Sequence, residues 1–137
     1  MKVFLDKIAI LPTRAHSTDA GLDLYTPMAC QVPAHGSVVI ETGVHIELPE
    51  GTYGSLQSKS GLNLKNIVSC GGTIDQGYTG QIKAKLYNLG DEDYFFNRGD
   101  KICQLVVQPC LYVPVEQVFE WSNDTERGDA GFGSSGR

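Results

Sequence analysis

No two cysteines in this chain are spaced C-x-x-C; Cys30, Cys70, Cys103 and Cys110 are scattered among apolar or small residues. That absence argues against a zinc centre and against a disulfide framework, and leaves buried free thiols in a reducing compartment as the expectation. No apolar run approaches the length that crosses a bilayer, and Lys2, Asp6 and Lys7 charge the N-terminal stretch where a signal peptide carries its apolar core. The expectation is a protein with no membrane partner, cytoplasmic, or host-intracellular if virally encoded. A basic run interleaved with aromatics is also missing, and the net charge is −5, which excludes a groove for polymeric nucleic acid. A small polyanion is compatible with that charge, because a local group of cations or a bound metal overrides an acidic average at one site. Helical periodicity is nearly absent, and no internal repeat is visible.

What is present is one domain's worth of chain: 137 residues, 41% hydrophobic, enough for a single core. The periodicity is that of strands. Val38–Ile40, Val44–Leu48 and Ile82–Tyr87 are β-rich runs, the last two alternating apolar and polar, with turn signals at Thr42-Gly43 and Pro49-Glu-Gly51. Ile102–Val107 and Leu111–Val115 are nearly continuous apolar runs that suit strands buried on both faces, with Pro109 as a break between them. Only Ser60–Lys65 suits a helical turn or two, with Ser60 as N-cap. The pattern predicts an all-β fold, a jelly-roll or barrel with one short helix. Residues 1–126 form that domain, and residues 127–137 form a glycine-rich basic arm.

The arm, Arg127 to Arg137, matches G-x-G-x-x-G at Gly131, Gly133 and Gly136, but no helix or ribose-binding acid follows, so the dinucleotide reading fails. Its glycines let backbone N–H groups approach a ligand, and Phe132 suits capping a flat ring. A frayed terminus is the alternative. The Ala15–Tyr25 stretch sets Asp19 and Asp23 either side of an Ala-Gly pair; alone, it reads as a polar loop entering a strand. Ser58-Lys-Ser-Gly-Leu62 gathers hydroxyls, a cation and backbone donors, which suits a phosphate and equally suits a plain helix cap. Gly71-Gly-Thr-Ile-Asp-Gln-Gly-Tyr-Thr-Gly80 is the most specific. Its Asp75 carboxylate, flanked by glycines, either projects into a cleft as a general base or satisfies turn donors, and Tyr78 suits stacking on a sugar.

These stretches, with Arg98-Gly-Asp-Lys-Ile-Cys-Gln-Leu105 fourth and the arm fifth, closely resemble the ordered five-motif pattern of trimeric dUTPases, over essentially the whole chain. The resemblance implies a β jelly-roll homotrimer with three sites at subunit interfaces, each completed by a partner's arm. It implies hydrolysis of dUTP to dUMP and pyrophosphate, with Mg2+ bound to the triphosphate. Asp75 resembles the acid that positions the attacking water, with Gln104 helping to hold it. Tyr78 resembles the residue that excludes a 2′-hydroxyl, and the Ser69–Ile74 hairpin, with Gly72 and Thr73, resembles the one whose backbone reads uracil. Main-chain donors and acceptors suit that task, because cytosine's amino group would leave buried partners unmatched. Lys83 aligns with a backbone contact to the nucleoside. Lys59, Ser60, Gly61 and Gln104 resemble phosphate ligands, and Asp23 the acid that meets magnesium through water. Arg127 resembles the cation at the γ-phosphate, Phe132 the lid over uracil, and Gly133, Ser134 and Ser135 phosphate donors.

The chain departs from the family pattern at Lys59, where arginine is usual and where a point charge replaces a planar fork. Gln76 and Gly77 replace acidic residues, and Ala130 replaces a glycine of the arm. The Arg127-Gly-Asp129 triplet matches an integrin-binding tripeptide, a reading that the lack of a secretion signal opposes. Two rivals stand beside the dUTPase reading. One is a dCTP deaminase on the same fold, which usually lacks the Phe-Gly-Ser arm. The other is a binding module in which the nucleotide site switches a regulatory protein partner.

Overall fold

The computed structural model describes residues 1–70, 72–122, 124–126 and 128–130. Eleven strands and one short helix follow in order: β1 (Lys2–Leu5), β2 (Gly21–Tyr25), β3 (Cys30–Val32), β4 (Ser37–Glu41), β5 (Val44–Glu47), β6 (Thr52–Gln57), α1 (Ser60–Asn63), β7 (Ile67–Cys70), β8 (Thr73–Ile74), β9 (Lys83–Asn88), β10 (Tyr94–Phe96) and β11 (Lys101–Pro109). The all-β expectation holds. The strands form four small antiparallel sheets, in orders β1-β5, β10-β3, β2-β11-β6-β8 and β4-β9-β7, and among the described residues these do not close into one barrel.

Period-2 patterning explains how the sheets share one core. Along β9, Ala84, Leu86 and Asn88 turn inward while Lys83 and Tyr87 face out. The core joins these to Leu24, Val32, Val44, Ile102, Cys103 and Leu105, all fully buried. Asn88 is admitted because its amide donates to Val32 O at 3.0 Å and Glu92 O at 2.7 Å, and its carbonyl accepts from Gly90 N–H at 2.9 Å. Strand β11 is the hub, flanked by β2 on one edge and β6 on the other, and its Ile102, Cys103 and Leu105 are fully buried. Gly54 of β6 gives close approach to β8: a Cβ there would lie 2.9 Å from Leu105 Cδ1 and 3.3 Å from Ile74 Cβ.

Three expectations are corrected. Leu111–Val115 is not a buried strand. The ladder ends where Cys110 N–H donates to Gly51 O at 2.9 Å, both edges of β11 are already paired, and Leu111 and Val115 are 87% and 97% exposed. Ser60 is not the N-cap but the first residue of α1; Lys59 occupies the cap position, in extended geometry and without a side-chain cap bond. Ser69–Ile74 is not a paired hairpin, because β7 pairs with β9 while β8 pairs with β6, so the segment crosses between two sheets. The other runs fall within a residue or two of β4, β5, β9 and β11. No helix among the described residues is long and apolar enough to cross a membrane.

Leu86 tests the single-core account. Leu86→Ala removes a fully buried side chain between β4 and β7 and should cost about 2–5 kcal/mol, read as a lower urea midpoint.

Candidate active site

Alternation along β8 sends Ile74 into the core and leaves Thr73 and Asp75 on the open side. Asp75 then starts a tight turn, closed by Tyr78 N–H donating to Asp75 O at 3.1 Å, with Gly77 at φ 88°. Only glycine takes that conformation without strain, which accounts for one departure from the acidic pattern. Gln76 accounts for the other: its Oε1 accepts from Gly51 N–H at 2.9 Å and Tyr112 OH at 3.0 Å, tying the turn to the loop before β6. Asp75, Tyr78, Gly72, Thr73, Ile74 and Lys83 all line one cavity of about 350 Å3. The Lys83 ammonium donates to Glu41 Oε1 at 2.6 Å. Each partner stabilises the other's charge, so the Lys83 pKa is raised and that of Glu41 lowered.

A second group assembles around β2 and β11. The pairing shifts register between Lys101 and Cys103, so Lys101 stands opposite Tyr25 and Cys103 opposite Leu24. This bulge buries Ile102 and Cys103 in succession and turns Lys101 onto the face that carries Asp23. Lys101 Nζ lies 2.7 Å from Asp23 Oδ2, and Lys59 Nζ pairs with Asp23 Oδ1. Burial pushes the Asp23 pKa up, but Lys101 and then Lys59 outweigh it and hold the carboxyl below its ordinary value. Two lysines thus meet one carboxylate directly, with the Asp19 carboxylate also acting on Lys101. Burial pushes the adjacent Cys103 thiol up to about 12, so it is inert, and Cys30, Cys103 and Cys110 are free.

Gln104 stands opposite Asp23 on β2 and Gln57 on β6 and donates from Nε2 to Ser58 O at 3.1 Å. It needs Gly21 as its neighbour, since a Cβ there would lie 2.3 Å from Gln104 Oε1. The Ser58 hydroxyl accepts from Ser69 N–H at 2.7 Å and lies 3.1 Å from Ser69 O, linking β7 to the Lys59 segment. Ser69 is buried, and its own hydroxyl has no hydrogen-bond partner among the described residues. Ser60 and Gly61 are exposed on α1, and Gly61 has open space around it. Asp19 accepts from His16 N–H at 2.9 Å and lies within electrostatic reach of both Asp23 and Lys101.

The candidates therefore form two sets within one chain. The cavity at Asp75 is lined by none of Asp23, Lys59, Ser60 or Gln104. Arg127, Phe132, Gly133, Ser134 and Ser135 lie outside the described residues. The sequence reading missed Lys101, Ser58, Gly21 and Gln81 as site-building residues. Lys101 sat inside the Arg98–Leu105 motif, but only the bulge reveals the face it takes.

The family model described as dUTPase matches residues 7–136. This chain belongs to the dUTPase family. The deoxyuridine 5'-triphosphate nucleotidohydrolase of Clostridium kluyveri is 42% identical over 135 residues, 96% of this chain and 94% of that protein. That of Clostridium acetobutylicum is 44% identical, covering 96% and 92%. Among solved structures, a mutant dUTPase of Staphylococcus bacteriophage 80alpha with dUpNHpp superimposes with TM-score 0.88 at 32% identity, over 99% of this chain and 98% of that one. A mutant dUTPase from phage phi11 of S. aureus, described as coordinating a structural Mg(II) ion, gives 0.81 at 30% identity, over 88% and 97%.

Magnesium finds no ready protein cage in this dUTPase-family chain. Among the described residues no three His, Cys, Asp or Glu side chains converge, and both oxygens of Asp23 are held by lysines. The residues fit a polyanion better than a bare cation.

The clamp on Asp23 has a pH signature. A carboxyl whose folded pKa lies below its ordinary 3.8 stabilises the fold above that value, and the contribution is lost as pH falls through the folded value. Urea midpoints should therefore drop in acid, and Asp23→Asn should flatten that drop. At neutral pH Asp23→Asn should cost about 1–3 kcal/mol, less than a sealed pair because both lysines keep contact with solvent.

Proposed function

We propose that this chain hydrolyses dUTP to dUMP and pyrophosphate by attack of water on the α-phosphorus, which keeps uracil out of DNA and supplies dUMP for dTMP synthesis. The single observation that carries the reading is the cavity where Asp75, Tyr78, Gly72, Thr73 and Ile74 meet, within a family-wide match. Asp75 orients the water and takes its proton, with Gln104 as a second holder. Tyr78 packs on the deoxyribose, while main-chain groups of Ser69, Gly72, Thr73 and Ile74 read uracil and the Lys83 backbone completes the wall.

Lys59, Ser60 and Gly61 bind phosphate. The second lysine of the Asp23 clamp supports this, since Lys59 can turn from Asp23 to a phosphate while Lys101 still neutralises Asp23. Mg2+ bound to the triphosphate would offset phosphate charge, and Asp23 is the residue that would hold it through water. Arg127, Phe132, Gly133, Ser134 and Ser135 belong to an arm, residues 127–137, that closes over the bound nucleotide and excludes water.

The separation of the two residue sets supports assembly of copies, which we read as a homotrimer. Phosphate-binding residues of one copy complete the nucleoside cavity of another, so the site belongs to the interface. The exposed apolar residues between Leu111 and Trp121 supply surface for such contacts. A second reading, a nucleotide-controlled partner of another protein, is favoured by one relative: an 80alpha phage dUTPase with dUpNHpp, TM-score 0.87 and 34% identity over 99% of this chain and 98% of that one, is described as controlling transfer of virulence genes by a G protein-like mechanism. Capture of a partner only with, or only without, dUTP would support it.

The test is pyrophosphate release from dUTP, dCTP, dTTP and UTP with magnesium. Only dUTP should turn over rapidly. Asp75→Asn should lower kcat by about 10^2–10^4 with little change in KM. A chain ending before Arg127 should bind dUTP more weakly and turn it over slowly. A parent protein that binds dUTP without hydrolysing it would sink the enzyme reading and leave the switch.

A further inference from the structure

Tyr78 is 47% exposed, so core packing does not set its position. Its hydroxyl donates to Gln81 O at 3.1 Å, and its ring lies over Gly80, where a Cβ would meet the hydroxyl oxygen at 2.3 Å. Residues 78–81 belong to no strand and are tied down from β5. Gly43 N–H, just before β5, donates to Gln81 Oε1 at 3.1 Å, and His45 Nδ1 donates to Thr79 O at 2.8 Å. The other ring nitrogen of His45 faces Asp6 Oδ2 at 3.4 Å. Phe4 of β1 packs edge-on against the imidazole, with centroids 5.5 Å apart, at the register position opposite it.

We propose that His45 is a positioning residue for sugar selectivity: its imidazole latches the Thr79 carbonyl, which holds Tyr78 against the nucleoside cavity so that 2′-deoxyribonucleotides are accepted and ribonucleotides are not. The proposal rests on the nucleotide reading of that cavity and adds a residue outside it. A latch one residue from Tyr78 matters because excluding a single hydroxyl by packing needs the ring fixed to a fraction of an ångström.

The charged groups facing His45 are few. Asp6 comes from the turn after β1, and Lys2 and Glu47 line the same shallow depression but pair with each other at 2.9 Å. Imidazolium donates from both nitrogens, whereas neutral imidazole donates from one and sets a lone pair against either Thr79 O or Asp6. The Thr79 carbonyl raises the His45 pKa, burial opposes it and Asp6 adds to the rise, for a net value above the ordinary 6.5. The latch is therefore complete below that ordinary value and loosens as pH rises through the folded one.

The experiment compares kcat and KM for dUTP and UTP in full-chain parent, His45→Leu, His45→Asn and Gly80→Ala, with magnesium, from about pH 6 to about pH 9, with melting curves to confirm folding. Uracil and triphosphate titrate alike in both nucleotides, so the dUTP-to-UTP ratio of kcat/KM reports on the protein. In the parent the ratio should fall several-fold as pH rises, and His45→Leu should lower it about tenfold, flatten its pH dependence and leave kcat on dUTP nearly unchanged. His45→Asn, whose amide donates to Thr79 O without titrating, should restore most of the ratio but not the pH dependence. Gly80→Ala, which displaces the Tyr78 ring from its other side, should also lower it. A parental ratio in His45→Leu or Gly80→Ala, or a His45→Asn as defective as His45→Leu, overturns the proposal while leaving the dUTPase reading intact. A parent that hydrolyses both nucleotides alike, or neither, overturns both.

Discussion

A buried carboxylate cannot stand alone in a β-sheet, and the requirement that Asp23 be neutralised organises much of this molecule. Asp23 lies on β2 beside the hub strand β11, and its two oxygens take a lysine from each side. Lys101 reaches it only because the ladder slips at Ile102, and the same slip buries Ile102 and Cys103 together in the core. Lys59 reaches it from the segment leading into α1, which fixes where that segment leaves the sheet. The electrostatic demand of one side chain thus couples sheet register, core packing and the position of the Lys59 segment.

The opposite end of the same sheet follows a different logic. Residues around Asp75 carry no buried charge pair and are held by backbone and amide contacts instead. Gly77 supplies the turn, Gln76 ties it to the Gly51 loop, and His45 and Gln81 hold the segment that follows. Such contacts are individually modest, and they place groups on a surface without sealing it. The Asp23 end stores charge and the Asp75 end stores shape.

Within one chain the Asp75 cavity is lined by none of Asp23, Lys59, Ser60 or Gln104, although Ser58 bonds to Ser69, and the apolar segment after Pro109 is exposed. Strand β11 pairs on both edges with β2 and β6, and beyond it Tyr112 OH reaches Gln76 Oε1 while Leu111, Val113 and Val115 are exposed. Exposed apolar side chains of this kind favour association.

Local rules sufficed where a residue's role is set by its immediate neighbours. Alternation in Ile82–Tyr87 and Val44–Leu48 marked strands, the Gly-rich turn marked Asp75 and Tyr78 as open to a ligand, and ordered motifs identified the family. The sequence by itself determined the fold class, the single core and the identity of most candidate residues, because period-2 patterning and turn chemistry are local. Tertiary structure alone decided that Leu111–Val115 is exposed, that β7 and β8 join different sheets, that Lys101 turns toward Asp23 and that His45 reaches Thr79. Each of these depends on which strand lies beside which and in what register, and a single chain of residues carries no direct mark of its neighbours in space.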